Sequence, residues 1–332
     1  MARVSKEFVV VDDPRFRECH ASTVLPLGDR RLLAAWFGGS REGAGDVAIW
    51  LARRAPGRGW SRPVKVADEP DLPHWNPVLF RAPGSAEISL FYKVGHRIPA
   101  WYTRVIRSTD DGYTWSEPRD LVAGDVGGRG PVKNKPIVLA DGSWVAPASI
   151  EREHTWDAFV DLSYDEGRSW RPGRLVPLDH ATFPGKGVIQ PTLWESAPGV
   201  VHMLLRSTCG WACRSDSTNG GHTWSPAVTT ALPNNNSGLD LVRLDDGRLV
   251  CVHNPVGVPS GPRTPLVVAS STDNGTSWVR DAVIEDEQPP LDGEFSYPAV
   301  AADTEGVVTT YTWRRRGIAC ARVDLDAEPA SP

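Results

Sequence analysis

The sequence has no apolar segment long enough to cross a membrane. A membrane-spanning helix needs about 20 consecutive apolar residues, and no run in the 332 residues approaches that length. The first seven residues also lack the apolar core of a signal peptide. We therefore expect a protein without a membrane partner.

Cysteine is scarce, with five residues at positions 19, 209, 213, 251 and 320. An odd number in a chain of this length fits buried thiols in a reducing cytoplasm better than a disulfide framework. Cys209 and Cys213 have the spacing of half a metal site, but no second cysteine or histidine pair at zinc spacing follows. We therefore expect a cytoplasmic protein without a metal site.

Positive charge is not in excess. The net charge is −5 and the isoelectric point is about 5.9, whereas nucleic-acid binding needs a basic face. The chain also has no glycine-rich phosphate loop and no Ser/His/Asp order with a nucleophile elbow. These absences argue against a nucleic-acid partner, and no cofactor is implied.

The sequence also lacks a helical periodicity of apolar residues and shows the pattern of short strands instead. Apolar and polar residues alternate around Gly-Asp turns, for example over 21–36 and 46–54. The 31 glycines and 29 prolines suit many short strands and tight turns. The pattern predicts an all-β protein.

One motif recurs along the chain. Ser-x-Asp-x-Gly-x-x-Trp occurs at 108–115, 163–170 and 271–278, and 217–224 differs only in having Asn for Asp. A degenerate copy of the motif ends at Trp60. The tryptophans that end the five copies are 55, 55, 54 and 54 residues apart. A regular period longer than one hairpin indicates a stacked or radial repeat.

Each copy is predicted to be a hairpin turn between two strands. Asp and Asn tolerate left-handed conformations and bind the backbone two residues on, and Gly permits positive φ. The Trp buries an apolar ring and needs a partner for its indole N–H. Because the turn is repeated, its aspartates are not expected to be catalytic.

Six units follow from this spacing, five with the motif and a last one without it. The strand at 7–12 has no nearby partner and can complete the last unit, which removes the exposed edges of an open array. We predict a single domain over 1–325, a six-bladed β-propeller whose last blade is closed by the N-terminal strand. The polar, Pro-containing segment 326–332 is predicted to be a disordered tail.

Propeller geometry places a functional site at one mouth of the central channel. There, loops bring together residues from the starts of all six units. Polar and charged candidates near those starts are Asn76, Lys93, Lys135, Glu151, Asn236 and His253. Such a mouth is costly to desolvate unless it binds a ligand.

The motifs and the six-unit organisation resemble the sialidase (neuraminidase) superfamily over roughly residues 15–323. In that family three arginines clamp the substrate carboxylate, an Asp is the acid/base and a Tyr paired with a Glu is the nucleophile. The resemblance implies Tyr297 as nucleophile and Asp46 as acid/base. It implies Arg206 and Arg263 as clamp residues, with Arg41 as a further substrate-binding arginine.

Two positions depart from the family pattern. His20 stands where the first clamp arginine is expected, and Gln190 stands where the activating Glu is expected. Arg314 is a candidate for the missing charge, and Glu294 or Glu151 for the missing carboxylate. The departures matter because Tyr, with an unperturbed pKa near 10, needs a base or a positive field to act as a nucleophile.

The residues are consistent with three functions. The first is a sialidase-like glycosidase on an acidic sugar. The second is a lyase or other non-hydrolytic enzyme on a uronic-acid-like substrate, with Tyr297, His20 or His253 moving a proton. The third is a non-catalytic carbohydrate-binding or scaffold propeller. The first two imply a small molecule or glycan with a carboxylate as partner.

Overall fold

The computed structural model describes residues 2–287 and 293–325. They contain 24 β-strands in six four-stranded antiparallel sheets, which confirms the predicted six-bladed β-propeller. Within those residues, the helical structure is limited to a 3₁₀ turn at Ile98–Ala100, and no helix has the length and apolar character to cross a bilayer. The predicted tail at 326–332 lies outside the described residues.

The first three blades run in chain order from the channel outward. Blade 1 contains β2 (Glu18–Gly28), β3 (Arg31–Gly39), β4 (Ala48–Arg54) and β5 (Val64–Ala67). Blade 2 contains β6 (His74–Phe80), β7 (Ile88–Val94), β8 (Tyr102–Ser108) and β9 (Arg119–Asp120). Blade 3 contains β10 (Ile137–Val138), β11 (Trp144–Glu151), β12 (Trp156–Ser163) and β13 (Arg171–Pro172).

The remaining blades repeat this order except at the outer strand of the last. Blade 4 contains β14 (Val188–Ala197), β15 (Val200–Ser207), β16 (Trp211–Ser217) and β17 (Val228–Pro233). Blade 5 contains β18 (Asp240–Arg243), β19 (Leu249–His253), β20 (Leu266–Ser271) and β21 (Val279–Glu285). Blade 6 contains β22 (Phe295–Asp303), β23 (Gly306–Trp313), β24 (Gly317–Asp324) and the N-terminal β1 (Arg3–Val11).

The N-terminal strand closes the ring as predicted. It pairs antiparallel with β24 from Arg3 opposite Asp324 to Val11 opposite Gly317. The Phe8 ring meets the Trp313 ring edge-on at 5.2 Å. Every blade therefore has four strands, and the last blade joins the two ends of the chain.

Apolar side chains fill the spaces between neighbouring blades. Between blades 1 and 2, for example, Leu33 and Phe37 pack with Leu79 and Tyr92, and all four are at most 1% exposed. The middle strands are apolar on both faces for this reason: each blade is covered by a neighbour on either side. The core is thus a series of interfaces arranged around the channel.

The repeated motif forms the predicted turn, here between the third and fourth strands of a blade. In the copy between β20 and β21, the Ser271 hydroxyl donates to Asp273 at 2.7 Å and accepts from the Gly275 amide at 2.8 Å. Asp273 accepts from the Ser277 amide at 2.9 Å. These turns lie on the periphery, away from the channel mouth.

A left-handed residue marks each blade at the channel. These residues have φ between 40° and 66° and are Ala21, Asn76, Lys133, Gln190, Asn236 and Tyr297. Four of them fall at register shifts between the first and second strands. Bulges of this kind bend a strand and re-aim a side chain. We call the six positions the bulge ring; it surrounds the mouth of the channel where the inner strands begin.

Candidate functional site

Tyr297 lies at the centre of a charged cluster at this mouth. Its hydroxyl oxygen accepts a hydrogen bond from Arg206 Nη1 at 2.5 Å. The Arg263 guanidinium lies 5.5 Å from the centre of the Tyr297 ring, and the His20 ring lies 4.2 Å from it. The bulge at Tyr297, on the innermost strand of blade 6, sets this position. The structure thus brings together the predicted nucleophile, both predicted clamp arginines and His20.

Arg206 connects three blades. It donates to Gln190 Oε1 at 3.1 Å, to Asn236 Oδ1 at 2.9 Å and to Tyr297. Its guanidinium also lies 5.5 Å from the ring centre of Trp156. Among residues 2–287 and 293–325, no carboxylate forms an ion pair with it. A guanidinium fixed by neutral partners keeps its charge available for a ligand carboxylate.

Glu294 holds the other two arginines of the cluster. Its carboxylate accepts from Arg263 Nη1 at 2.7 Å, from Arg315 Nε at 3.0 Å and from the Ser296 hydroxyl at 2.7 Å. Burial opposes its ionisation, but the charges of Arg263 and Arg315 prevail and lower the pKa of Glu294 below its usual range. Glu294 is therefore an ionised anchor for arginines, with little capacity to take a proton from Tyr297.

His20 occupies a buried position beside these groups. It is 2% exposed. Its Nδ1 forms a hydrogen bond with the Thr312 hydroxyl at 2.8 Å and lies 3.8 Å from Glu294 Oε1. Burial lowers the pKa of His20 well below its usual range, and the nearby arginines lower it further. Neutral imidazole thus stands where the family pattern has a permanent positive charge.

The third arginine of the cluster is Arg315. The turn between β23 and β24 has left-handed φ values of 51° at Arg314 and 57° at Arg315. It directs Arg315 to Glu294 and to Glu42, whereas Arg314 pairs with Glu287. Sequence reasoning selected Arg314 from this run of three arginines, whereas the turn geometry places Arg315 beside Glu294.

A second carboxyl and a lysine lie on the opposite side of the mouth, in blades 3 and 2. Oε1 of Glu151 is buried and has no hydrogen-bond partner among the described residues. Burial raises the pKa of Glu151, and the charges of Arg206 and Lys93 oppose the rise. Lys93 donates to the Arg129 carbonyl at 2.6 Å, and burial lowers its pKa to about 8. Glu151 is thus a carboxyl suited to holding a proton.

The predicted acid/base Asp46 lies on the loop between β3 and β4. It is exposed and accepts from the Ser40 amide at 2.9 Å and the Ser40 hydroxyl at 2.8 Å. The same loop reaches the cluster through Glu42, the partner of Arg315. Arg41 is also exposed, and Arg41 and Arg315 both line a 420 Å³ cavity.

Three other predicted residues remain to be placed: Lys135, His253 and Asn76. Lys135 pairs with Asp240 at 3.0 Å and lines a 640 Å³ cavity at the far end of the inner strands. His253 is 2% exposed, and burial lowers its pKa to about 4. Asn76 is the buried bulge residue of blade 2. The structure therefore does not bring Lys135 into the site.

Lys133 is the neighbour of the cluster that sequence reasoning did not select. Its Nζ donates to Asn134 Oδ1 at 2.8 Å, to the Leu239 carbonyl at 2.8 Å and to the Pro298 carbonyl. A Cβ atom at Gly238 would lie 2.8 Å from Lys133 Cε and 3.4 Å from the Tyr297 ring, so both side chains pack against this glycine. Burial lowers the pKa of Lys133 to about 7. The run at 133–136 signalled this position, but Lys135 was the residue chosen from it.

The described residues offer no metal centre. No group of three or more His, Cys, Asp or Glu side chains within 2–287 and 293–325 is arranged to hold a metal ion. The chemistry that these residues can support is that of arginines, a tyrosine, a neutral histidine and carboxyls.

A family model and a curated protein both match this chain. Residues 30–310 match the family model described as BNR repeat-like domain. A sialidase from Clostridium perfringens is 32% identical over 94 residues, which are 23% of this chain and 24% of that protein. The chain thus aligns with about a quarter of this curated relative.

Solved structures share the fold at low identity. A protein of unknown function from Dyadobacter fermentans has a TM-score of 0.75 at 16% identity, covering 97% of this chain and 99% of that one. A Streptococcus pneumoniae sialidase has a TM-score of 0.73 at 11% identity, covering 96% and 70%. Trypanosoma rangeli sialidase in complex with sialic acid has a TM-score of 0.68 at 13% identity, covering 94% and 55%.

Proposed function

The chain belongs to the BNR repeat-like domain family, and on that basis we propose that it is a sialidase-like glycoside hydrolase acting on a sugar that carries a carboxylate. The observation that carries the proposal is the contact between Arg206 and Tyr297. It places a guanidinium that has no carboxylate partner among the described residues directly on a tyrosine hydroxyl. The same side chain can then bind a ligand carboxylate and hold the tyrosine for attack on the adjacent carbon.

In the proposed reaction Tyr297 attacks the anomeric carbon. Gln190 cannot accept the tyrosine proton, and Glu294 is engaged by two arginines. Activation therefore comes from positive charge: the Tyr297 proton passes to water in the mouth, and Arg206 on the oxygen and Arg263 over the ring stabilise the phenolate as it forms. Water then releases the sugar from the tyrosine, as in a retaining mechanism.

The proton for the leaving group comes from a carboxyl at the mouth. Sequence resemblance assigns this role to Asp46. Glu151 is the second candidate, because burial raises its pKa and so favours the protonated form that a general acid needs. The two side chains lie in different blades, so substitution can separate their roles.

Replacing the tyrosine tests the proposal. Wild-type protein is incubated with fluorogenic glycosides of sialic and uronic acids, and the masses of the products are measured by mass spectrometry. Tyr297→Phe is expected to lower kcat by roughly 10³-fold or more, because it removes the nucleophile. Tyr113→Phe, on an exposed turn, is the matched control. Undiminished activity in Tyr297→Phe would refute the mechanism.

The proton donor is identified by comparing leaving groups. Loss of a general acid costs roughly 10²-fold or more for a poor leaving group, and much less for a good one such as methylumbelliferone. Asp46→Asn and Glu151→Gln are therefore assayed on both kinds of substrate. The variant whose defect depends on the leaving group marks the donor; if neither shows this dependence, the donor is a different residue.

Elimination is the second candidate function, and His20 favours it. Burial keeps the imidazole 4.2 Å from the Tyr297 ring neutral, so the mouth lacks the third positive charge of the family pattern, and a ring nitrogen can accept a hydrogen bond from the tyrosine or the substrate. In this reaction the arginines neutralise a uronate carboxylate, the Tyr297 phenolate takes the proton from the adjacent carbon, and the alcohol on the neighbouring carbon leaves with that proton. An unsaturated sugar that absorbs in the ultraviolet would identify this route, whereas hydrolysis adds water. Binding without either product would indicate a carbohydrate-binding propeller.

A further inference from the structure

A row of three polar side chains crosses blade 4 at the end opposite the channel mouth. Ser196 lies near the end of β14, His202 lies on β15, and Asp216 lies on β16 directly opposite His202. The Ser196 hydroxyl is 2.7 Å from His202 Nε2, and Asp216 Oδ1 is 2.5 Å from His202 Nδ1. Three neighbouring strands thus place a serine, a histidine and an aspartate in the geometry of a catalytic triad.

The neighbouring blade determines which nitrogen of His202 carries the proton. Trp194 Nε1 can only donate, and its partner is Asn274 Oδ1 at 2.7 Å, so the amide nitrogen of Asn274 faces His202 Nε2 at 3.2 Å. That amide nitrogen also only donates, so Nε2 is an acceptor. The proton of the neutral ring is therefore on Nδ1 and is donated to Asp216, while the Ser196 hydroxyl donates to Nε2.

The histidine and the aspartate are held in place from several sides. His202 is 5% exposed, and the Trp194 ring stacks on it at 5.0 Å. Arg214 Nε donates to the same Asp216 oxygen at 2.9 Å, and Arg214 Nη2 is 3.0 Å from His202 Nδ1. Burial opposes the ionisation of Asp216, but the hydrogen bonds from His202 and Arg214 prevail and lower its pKa below the usual range. An ionised carboxylate therefore orients the ring.

Ser196, in contrast, is open to solvent. The pairing of β14 with β15 shifts between Glu195 and Ala197, so Ser196 lies in a bulge, which re-aims its side chain. Ser196 is partly exposed and Ala197 is exposed. A small molecule can therefore reach the hydroxyl from the surface while the imidazole behind it stays covered.

Other blades receive the repeated turn without such a row. Gly112, in the turn of blade 2, packs against Leu33 of blade 1, and Gly221, in the turn of blade 4, packs against Val145 of blade 3. Both of these contacts are apolar. Packing of the turn that carries Asn274 onto blade 4 therefore does not by itself require a histidine paired with a serine and a carboxylate.

We propose that Ser196, His202 and Asp216 form a second, nucleophilic site that cleaves small esters with a good leaving group, such as aryl acetates. The Ser196 oxygen attacks the carbonyl carbon, its proton passes to His202 Nε2, and the leaving phenol takes that proton. The Asn274 amide donates to the carbonyl oxygen as negative charge develops. Water then adds to the acyl-serine and gives a proton to Nε2, and this proton returns to the Ser196 oxygen as the acid leaves.

The test uses the full chain with p-nitrophenyl acetate, and the release of p-nitrophenol is measured. Ser196→Ala is expected to abolish release above that of buffer, and His202→Gln to lower the rate by roughly 10²-fold or more, because the general base is lost. Asp216→Asn should also lower the rate, since the ring loses the acceptor that fixes its tautomer. Ser5→Ala, at an exposed position on β1, is the matched control and should react like wild type.

A second measurement needs no variant. A fluorophosphonate probe should label wild-type protein once, on Ser196, as located by peptide mapping after intact mass measurement. The proposal is overturned if Ser196 stays unlabelled, or if Ser196→Ala or His202→Gln releases p-nitrophenol at the wild-type rate. These reagents carry no sugar and the site lies away from the mouth, so the outcomes are independent of whether the chain hydrolyses a glycoside.

Discussion

A single guanidinium sets much of the geometry at the mouth. Arg206 donates to side chains from blades 4, 5 and 6: Gln190, Asn236 and Tyr297. Because the guanidinium is planar, these contacts also fix its orientation. Lysine would keep the charge at this position but could not make the same set of contacts.

Arg206→Lys is therefore expected to leave the fold unchanged and to lower kcat/KM by roughly 10²-fold, since a catalytic group becomes misplaced. Steady-state kinetics on the acidic glycoside measures this, with circular dichroism to verify folding. Arg171→Lys, at an exposed position, serves as control. Equal activity in the two variants would mean that charge alone is sufficient.

The buried ammonium of Lys133 gives the folded state a specific pH response. Its pKa falls from an ordinary 10.5 to about 7, chiefly through burial. Between these values the unfolded chain binds the proton more tightly than the folded protein does. The free energy of unfolding therefore rises with pH across this interval, by about 1.4 kcal/mol per pH unit from this group.

Lys133→Met removes that contribution. The variant is expected to be less stable overall, because the Leu239 and Pro298 carbonyls lose their donor. Its stability should also rise less steeply than that of wild type between pH 7 and pH 10, as urea denaturation at several pH values would show. Identical slopes would indicate that Lys133 keeps an ordinary pKa in the folded protein.

At the scale of an element, the repeated turn depends on its serine. The Ser271 hydroxyl donates to the Asp273 carboxylate at 2.7 Å and accepts from the Gly275 amide at 2.8 Å. The Ser163 hydroxyl makes the same two bonds, to Asp165 at 2.9 Å and from Gly167 at 2.8 Å. Both serines are at most 3% exposed. Their substitution leaves a buried amide without a partner.

Ser271→Ala and Ser163→Ala are each expected to lower the free energy of unfolding by about 1–2 kcal/mol. Ser5→Ala, at an exposed position on β1, should change it by less than about 0.5 kcal/mol. Chemical denaturation of the three variants measures the difference. Stability equal to that of Ser5→Ala would show that the hydroxyl bridge adds nothing to the turn.

Sequence reasoning found the elements whose signal is local. The spacing of Trp60 through Trp278 fixed the units, and alternating residues located the first three strands of each blade. The outer strands were predicted only as the strands that follow each motif, without bounds, and β9 and β13 have only two residues each. The N-terminal strand was found but begins at Arg3 instead of residue 7.

Part of the site could also be predicted from the sequence. Arg206, Arg263 and Tyr297 could be placed by family resemblance, and the structure brings them together. The pairing of Arg263 with Glu294 and the selection of Arg315 depend on backbone turns that no residue pattern encodes. Contacts between blades distant in sequence are the part that required the structure.

At the scale of the whole molecule, closure depends on one strand. β1 covers β24 along its length and buries Val9 and Val10 to 5% and 9% exposure. Without it, blade 6 would present an unpaired edge to solvent, and such edges promote aggregation.

Deletion of residues 1–11 is therefore expected to lower Tm by roughly 10 °C or more and to produce oligomers on size-exclusion chromatography. Deletion of 326–332, the predicted tail, is the matched control and should leave Tm unchanged. A truncated chain that stays monomeric with wild-type Tm would show that blade 6 is stable with three strands.

At the bulge ring, the backbone conformation is shared by all six positions while the side chains differ. Ala, Asn, Lys, Gln and Tyr all adopt the same left-handed backbone there, so the conformation does not depend on the identity of the side chain. Ala21 and Tyr297 also belong to the apolar cluster between blades 1 and 2, whereas Asn76, Gln190 and Asn236 belong to none. A combinatorial library restricted to these last three positions would therefore sample new mouth chemistries while leaving the interfaces between blades intact.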